Sequence, residues 1–447
     1  MINFGLEGYL GPVLYCLAVV LVVYSLFWRP IAGLYVLVPL LPLQTIRYRL
    51  QAYPLGGSVA GVILLAVAIG LLLKRRPILA STPWNIPLLC FCAFTFLSLC
   101  WGSLYLNSPL FAPGDERFAE WREYMIMPGL LLLSAAAVKN RRQMTILIVL
   151  MCLGALALDK SYWSTVSDRD FTQYSDDLRD PGAMGYAGSN GLAAFEAQFA
   201  TFILALAAYE KRRPFRWSYY AVSVASVLCL MYSLSRGGYA AVIVGLLFLG
   251  VLKQRKLLPL LLVFGLAWTA LVPKAVQDRV DMTTRNGELD KSSEIRIGLW
   301  EDAMQVFQSN PLFGTGMNTY EYMGRVGRYK DTHNYFVKVL VETGIIGLLF
   351  FLFLIGRLFW TGIVMHWRAA DPLLKGLGLG LAGWMVSAVV ANLFGDRWTF
   401  LQVNGYMWVI AGLVARGWIW EHGESGEANC DEVTFRETIF EPQGALA

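Results

Sequence analysis

Apolar and polar positions along the 447-residue chain alternate on a coarse scale rather than residue by residue. Apolar runs fall at about 10–27, 30–46, 58–73, 84–106, 124–138, 143–159, 190–209, 217–234, 237–252, 256–273, 335–362, 374–395 and 400–417. Each is roughly 15–25 residues long, the length at which a helix crosses a hydrocarbon layer. The pattern predicts an all-α, polytopic membrane protein of about 12 transmembrane helices, or 13 if the second run also spans. Pro39 and Pro42 interrupt that second run, which makes it a candidate to dip into the membrane and return.

The polar links between the runs carry an orientation signal. Lys74-Arg75-Arg76, Lys139 with Arg141-Arg142, Lys211-Arg212-Arg213 with Arg216, and Lys253 with Arg255-Lys256 occupy alternate links, and Arg368 and Lys375 continue the series. By the positive-inside rule these links are cytoplasmic, and those at about 107–123, 160–189, 274–334 and 394–399 face the other side. The tail after Arg416 then returns to the cytoplasm, with the N-terminus outside for 13 crossings and inside for 12. The chain divides into N-terminal membrane helices (1–273), an exterior loop (274–334), C-terminal membrane helices (335–417) and a cytoplasmic tail (418–447).

The 274–334 link is too long for a passive connection, so it is expected to be folded and functional. Ile297, Trp300, Met304 and Phe307 recur there at helical spacing, with Ser292 or Ser293 as a candidate N-cap. They predict an amphipathic helix on or near the membrane surface. The stretch from Pro311 through Gly314-Thr315-Gly316 then turns the chain back.

Composition agrees with the pattern and narrows it. The chain is 56% hydrophobic and 15% charged, against about 45–50% and 25% in soluble domains, which excludes a soluble enzyme and a disordered chain. The net charge of +5 is small for the size and is accounted for by the link clusters, so it indicates no nucleic-acid partner. Six of the seven cysteines lie in or beside apolar runs and Cys430 is in the polar tail. None has metal-ligand spacing with a histidine, and neither a disulfide framework nor a zinc site is expected. Cys90 and Cys92 read as packing or lipid-facing thiols. No basic stretch precedes the first run, so no cleavable signal peptide is expected.

Candidate chemistry concentrates in the exterior links. Of three histidines, His366 and His422 fall on the cytoplasmic side, and only His333 stands at the outer end of a membrane helix. It can cap that helix or satisfy an interfacial hydrogen bond. It can equally serve as a general base, since imidazole titrates near neutral pH. Arg236 lies at the outer junction of two apolar runs with almost no polar sequence between them. An arginine at that depth either snorkels to the headgroups or faces a cavity or partner; a guanidinium fork there suits phosphate oxygens. Gly237-Gly238 would let backbone approach a ligand closely. Arg296, one turn before Trp300, reads as a surface charge or as part of the same clamp, and Arg122 and Arg397 on other exterior links are weaker versions of that signal. Together these arginines could surround a diphosphate. The acidic stretch from Asp168 to Asp180 reads as a solvated loop. Asn190 sits at the rim of a span. Glu342 follows His333 by nine residues, about 13 Å along a straight helix and on roughly the opposite face, so a packing role is expected.

The stretch Ser292-x3-Arg296-x3-Trp300-x2-Ala303, Pro311-x2-Gly314-x-Gly316, His333-Asn334 and Glu342-x-Gly344-x2-Gly347 resembles the signature region of the O-antigen ligase family. Gly188-Ser189-Asn190-Gly191-Leu192-Ala193 and Ser235-Arg236-Gly237 resemble two further landmarks in order and spacing. The resemblance covers about residues 185–350; before 185 no landmark bears on the acceptor. It implies a C-type glycosyltransferase-like fold with a large, partly helical periplasmic loop, in a multi-pass protein of the bacterial inner membrane whose active site faces the periplasm. It implies transfer of a glycan from an undecaprenyl-diphosphate carrier to an acceptor, without nucleotide sugar, metal or other cofactor. The acceptor is a lipid A-core sugar in ligases, another carrier-linked repeat in polymerases and a Ser, Thr or Tyr hydroxyl in protein-glycosylating relatives. Carried over by motif, His333 would be the catalytic base and Arg236 and Arg296 would bind diphosphate; Arg122, Arg397, Asn190 and Asn334 are additional substrate-binding candidates. A transporter of lipid-linked glycan is the alternative of a different class, but it predicts pseudo-symmetric halves, and the sequence carries no internal repeat.

Overall fold

A computed structural model describes residues 10–110, 115–282, 284–285, 288–289, 291–325 and 331–422. Sixteen α-helices occur among them. The N-terminal half contains α1 (Leu10–Phe27), α2 (Ile31–Leu40), α3 (Gln44–Arg49), α4 (Val59–Leu73), α5 (Asn85–Tyr105), α6 (Arg117–Ala137), α7 (Arg141–Val166) and α8 (Gly188–Ala207). The C-terminal half contains α9 (Arg213–Tyr232), α10 (Arg236–Leu252), α11 (Leu257–Leu271), α12 (Lys274–Asp281), α13 (Lys291–Ser309), α14 (Tyr335–Arg368), α15 (Pro372–Leu393) and α16 (Leu401–His422). One two-stranded antiparallel ladder pairs Thr284–Arg285 with Glu288–Leu289. The tail beyond 422, with Cys430, lies outside the described residues.

The chain is a polytopic helical membrane protein. Among the described residues six helices are long and apolar enough to cross a membrane, or eight if each of two bent pairs counts as one span. That is fewer than the 12 read from the sequence, for physical reasons. Gly11–Phe27 and Arg236–Leu252 are apolar but short. Charges on α6 (Arg117, Glu120, Arg122) and α9 (Arg213, Arg216), and amides on α16 (Gln402, Asn404), lower the apolar character of those helices. The proline-interrupted second run is one of the bent pairs, turning by 111° between Ile31–Leu40 and Gln44–Ala52. The other is α11 with α12, at 108°.

At the centre is α8, buried from Gly191 to Ala207 without interruption. It is buried on every face, Glu196, Gln198 and Thr201 included, and is packed by α9, α10 and α15. Phe195, Phe199 and Phe202 meet Trp384 of α15 edge to face. Small residues allow the close approaches: a Cβ on Gly238 would meet Ala193 Cβ at 2.6 Å, and one on Gly245 would meet Thr201 Oγ1 at 2.5 Å. By contrast α11 buries no residue and forms a periphery.

The central helices fix the ends from which the polar groups project. α14 is broken at Gly344, where φ is +68°. The break frees backbone groups, and the Pro311–Gly316 segment takes them up: Thr315 N–H donates to Val341 O (3.1 Å), Gly316 N–H to Glu342 O (2.6 Å), and Ile345 N–H to Pro311 O (2.9 Å). Glu342 is a packing residue, its carboxylate accepting from Asn318 N–H (3.0 Å) and Tyr320 N–H (3.2 Å). The glycine-rich motif is thus a dock for the loop on a broken helix, the arrangement by which irregular backbone is tolerated at membrane depth.

Candidate active site

Five arginines from five separate segments line one cavity of about 280 Å³: Arg179 before α8, Arg236 at the start of α10, Arg279 on α12, Arg296 on α13 and Arg397 between α15 and α16. Asn190, Ser235 and Ser293 supply neutral polar groups, and Ala391 and Phe394 an apolar side. No carboxylate is among the described lining residues. The first turn of α10 opens on the cavity through Arg236, Gly237 and Gly238, so backbone N–H groups and the positive end of a helix dipole face the same space.

The walls are cross-braced. Leu234 adopts a left-handed φ of +56°, which ends α9 and sets Ser235 as the extended residue before α10. Asn190 Oδ1 accepts from Arg179 Nη2 (2.7 Å) and from Ser235 Oγ (2.9 Å), tying three segments together. Arg279 lies over the Tyr174 ring at 4.9 Å and Arg397 over Phe400 at 5.3 Å. The Arg397 backbone is held at both ends, its N–H donating to Asn392 Oδ1 (3.0 Å) and its carbonyl accepting from Asn404 Nδ2 (2.9 Å).

The acidic stretch between α7 and α8 keeps Asp168, Asp170, Asp176 and Asp177 exposed, as expected of a solvated loop, and is folded as well. Arg169 pairs with Asp180 (2.8 Å), Asp170 accepts from Thr172 N–H (2.9 Å), and Leu178 is buried with Val272, Ala275 and Val276. Ala275 N–H donates to Phe171 O (3.0 Å). These contacts fasten α12 to the stretch and deliver Arg179 and Arg279 to the cavity together.

His333 stands just before α14. Asn334 is that helix's N-cap, its Oδ1 accepting from Phe336 N–H (3.0 Å) and Val337 N–H (3.3 Å). The left-handed φ of His333, +52°, turns its ring back on Asp331. His333 Nδ1 is 2.6 Å from Asp331 Oδ1, and the same oxygen accepts the His333 backbone N–H at 2.7 Å. Asp331 Oδ2 lies 3.7 Å from Arg397 Nη1. Burial pushes the Asp331 carboxyl up, but the His333 hydrogen bond and the Arg397 charge outweigh it and hold the group below the usual carboxylate range. The turn is clamped from α13 by Trp300 Nε1, which donates to Thr332 O (2.9 Å).

Of the residues singled out in the sequence, the fold brings Arg236, Arg296, Arg397 and Asn190 to one cavity. His333 is joined to it through Asp331 and Arg397. Asn334 caps α14 and Arg122 is exposed on α6, and neither is among the lining residues. Gly237 and Gly238 line the cavity, and Gly238 is also a close-packing contact with α8. The α13 helix is present but begins at Lys291, so Ser292 and Ser293 fall inside its first turn rather than at its cap. Its buried stripe is Leu299, Ala303 and Val306; Ile297 is exposed and Trp300, Met304 and Phe307 lie at the margin. The stripe is rotated because α13 packs on Tyr320 and on Val341 of α14. Sequence reasoning passed over Arg179, Arg279 and Asp331 as site members.

A cation-lined cavity with a histidine–carboxylate pair beside it can hold an anionic group and accept a proton next to it. Residues 221–352 match the family model described as O-antigen ligase. The matched stretch contains Arg236, Arg279, Arg296, Asp331 and His333. No curated protein matches the chain.

Proposed function

We propose that the chain is an O-antigen ligase of the bacterial inner membrane, with about 12 crossings and the cavity facing the periplasm. In this reading it moves a glycan from undecaprenyl diphosphate to a hydroxyl of lipid A-core. The observation that carries it is the five-arginine cavity tied through Asp331 to His333. A diphosphate in that space meets guanidinium groups from five segments, and the rest of the described lining is neutral.

Chemically, Arg236 and Arg296 neutralise the diphosphate as the bond from the anomeric carbon to the phosphate oxygen breaks. Positive charge placed in advance where negative charge builds is commonly the largest catalytic contribution. The acceptor oxygen attacks the anomeric carbon from the face opposite the leaving group, which inverts its configuration. His333 takes the acceptor's proton. The diphosphate is a good leaving group and needs no general acid, which suits one base and several arginines rather than two carboxylates. The reaction so written uses no metal, nucleotide or other cofactor.

The test is a lipopolysaccharide gel of a deletion strain complemented with wild-type or His333→Ala protein, with carrier-linked glycan quantified alongside. Loss of long chains from lipid A-core with accumulation on the carrier, in both the deletion and the variant, supports the ligase. Single repeats on lipid A-core would make it a polymerase. An unchanged lipopolysaccharide profile would direct the search to another glycan or to a protein acceptor.

A further inference from the structure

Resting on the transferase reading, we infer that Asp331 is a positioning residue for the base, and that it carries this role on behalf of the cavity through Arg397. A carboxylate oxygen can only accept, so the 2.6 Å contact with Asp331 Oδ1 requires the proton on His333 Nδ1. In the neutral ring this puts the lone pair on Nε2, which makes it the atom to remove a proton from an acceptor hydroxyl. In the step so described, the acceptor oxygen bonds to the anomeric carbon, the carbon–phosphate oxygen bond breaks, the diphosphate keeps the electron pair, and the acceptor's proton passes to Nε2.

Three further features mark the contact as built for orientation. The same Asp331 oxygen also holds the His333 backbone N–H at 2.7 Å, so ring and backbone are fixed by one atom. The left-handed His333 backbone is a strained conformation that persists only where its surroundings hold it. Here they do: Trp300 holds Thr332 O, Thr332 Oγ1 donates to Asn334 O (2.7 Å), and Asn334 caps α14. The charged groups around Asp331 also favour its ionised, accepting form. Arg397 from the α15–α16 link is 3.7 Å away, and Lys338 one turn into α14 pairs with Asp396 at 2.9 Å and adds positive charge near Asp331. Arg397 belongs to the cavity as well, so the guanidinium that meets the donor's diphosphate is also the one that steadies the residue orienting the base.

The experiment is steady-state transfer by purified full-length protein in detergent, comparing wild type, Asp331→Asn, Asp331→Glu and His333→Ala, with melting temperatures measured for all four. Asp331→Asn should lower kcat by roughly 100-fold or more, within the range a well-placed proton transfer supplies. Its KM for the carrier-linked donor should stay within about threefold, since no cavity arginine is removed. Asp331→Glu should recover part of the lost kcat, with kcat compared at a temperature well below the melting point of all four proteins. A wild-type kcat in Asp331→Asn, with His333→Ala inactive, would overturn the positioning role and leave the transferase reading standing. An Asp331→Asn defect confined to KM, or one matched by a large fall in melting temperature and not restored by glutamate, would also overturn it. No transfer by the wild type itself would instead sink the transferase reading.

Discussion

Arg236 and Arg296 approach one cavity from two helices, and each is expected to stabilise charge that appears only as the donor bond breaks. Arg236→Ala and Arg296→Ala should each lower transfer by roughly 100-fold or more, the usual consequence of removing one preorganised donor, while membrane levels on an immunoblot stay near wild type. Full activity in either variant would remove that residue from the mechanism. Asp331 gives a prediction in pH. Its folded-state pKa lies below the ordinary carboxylate range, so its stabilising contribution is fully present above about pH 4 and is lost as pH falls through the folded value. Thermal melts of the purified protein should therefore show no loss traceable to this group between pH 7 and about pH 5. In Arg397→Ala the acid loss should be smaller and level off at higher pH, because the folded-state value moves up toward the unfolded one when one of the charges holding Asp331 ionised is gone. Arg236 was legible in the sequence because a charge between two apolar runs is expensive and needs a reason. Arg179 and Arg279 were not, because Asp176, Asp177 and Asp180 around the one, and Asp278 and Asp281 around the other, give them the look of ordinary solvated links. Only the contacts of Phe171 and Leu178 with the start of α12 turn the two arginines toward the same space. Arg122, singled out by the same logic, is exposed on α6 and is not among the residues lining this cavity.

At the scale of elements, the break in α14 and the α13 clamp set the position of His333. A Cβ at Gly344 would lie 2.2 Å from Leu312 O, at a φ that only glycine adopts freely. Gly344→Ala should destabilise the protein by more than about 2 kcal/mol, seen as a lower melting temperature in detergent and reduced transfer. A normal melt would mean that the Pro311–Gly316 dock does not hold the loop. Trp300→Phe keeps the ring but deletes the hydrogen bond to Thr332 O. It should lower kcat about tenfold through a looser His333 turn, a few kcal/mol being more than one such bond contributes, with little change in donor KM. The existence of α13 was legible from its periodicity. Its buried face was not, because the stripe is chosen by the partner helix α14 and its docked loop, which a local pattern does not contain.

For the whole molecule, apolar run length was enough to establish a helical membrane protein, and alternating basic links gave a consistent orientation. Run length alone could not separate a full crossing from a short or bent helix, which is why six to eight helices meet the length and apolarity needed. The orientation has its own test. With native cysteines replaced, Asp177→Cys in the exposed stretch beside the cavity should react with an impermeant maleimide in intact cells, while Lys74→Cys should react only after permeabilisation. The reverse labelling would place the cavity on the cytoplasmic side and remove a periplasmic acceptor.

The measurement that bears most directly on the central claim is transfer by the purified protein in detergent, with no membrane gradient, from a synthetic undecaprenyl-diphosphate glycan to lipid A-core. The account predicts glycan joined to lipid A-core with release of one undecaprenyl diphosphate per transfer, strongly reduced in Arg236→Ala and Arg296→Ala and abolished in His333→Ala. Transfer that persists undiminished in all three variants would contradict it, as would a folded wild-type protein that binds the carrier and transfers nothing.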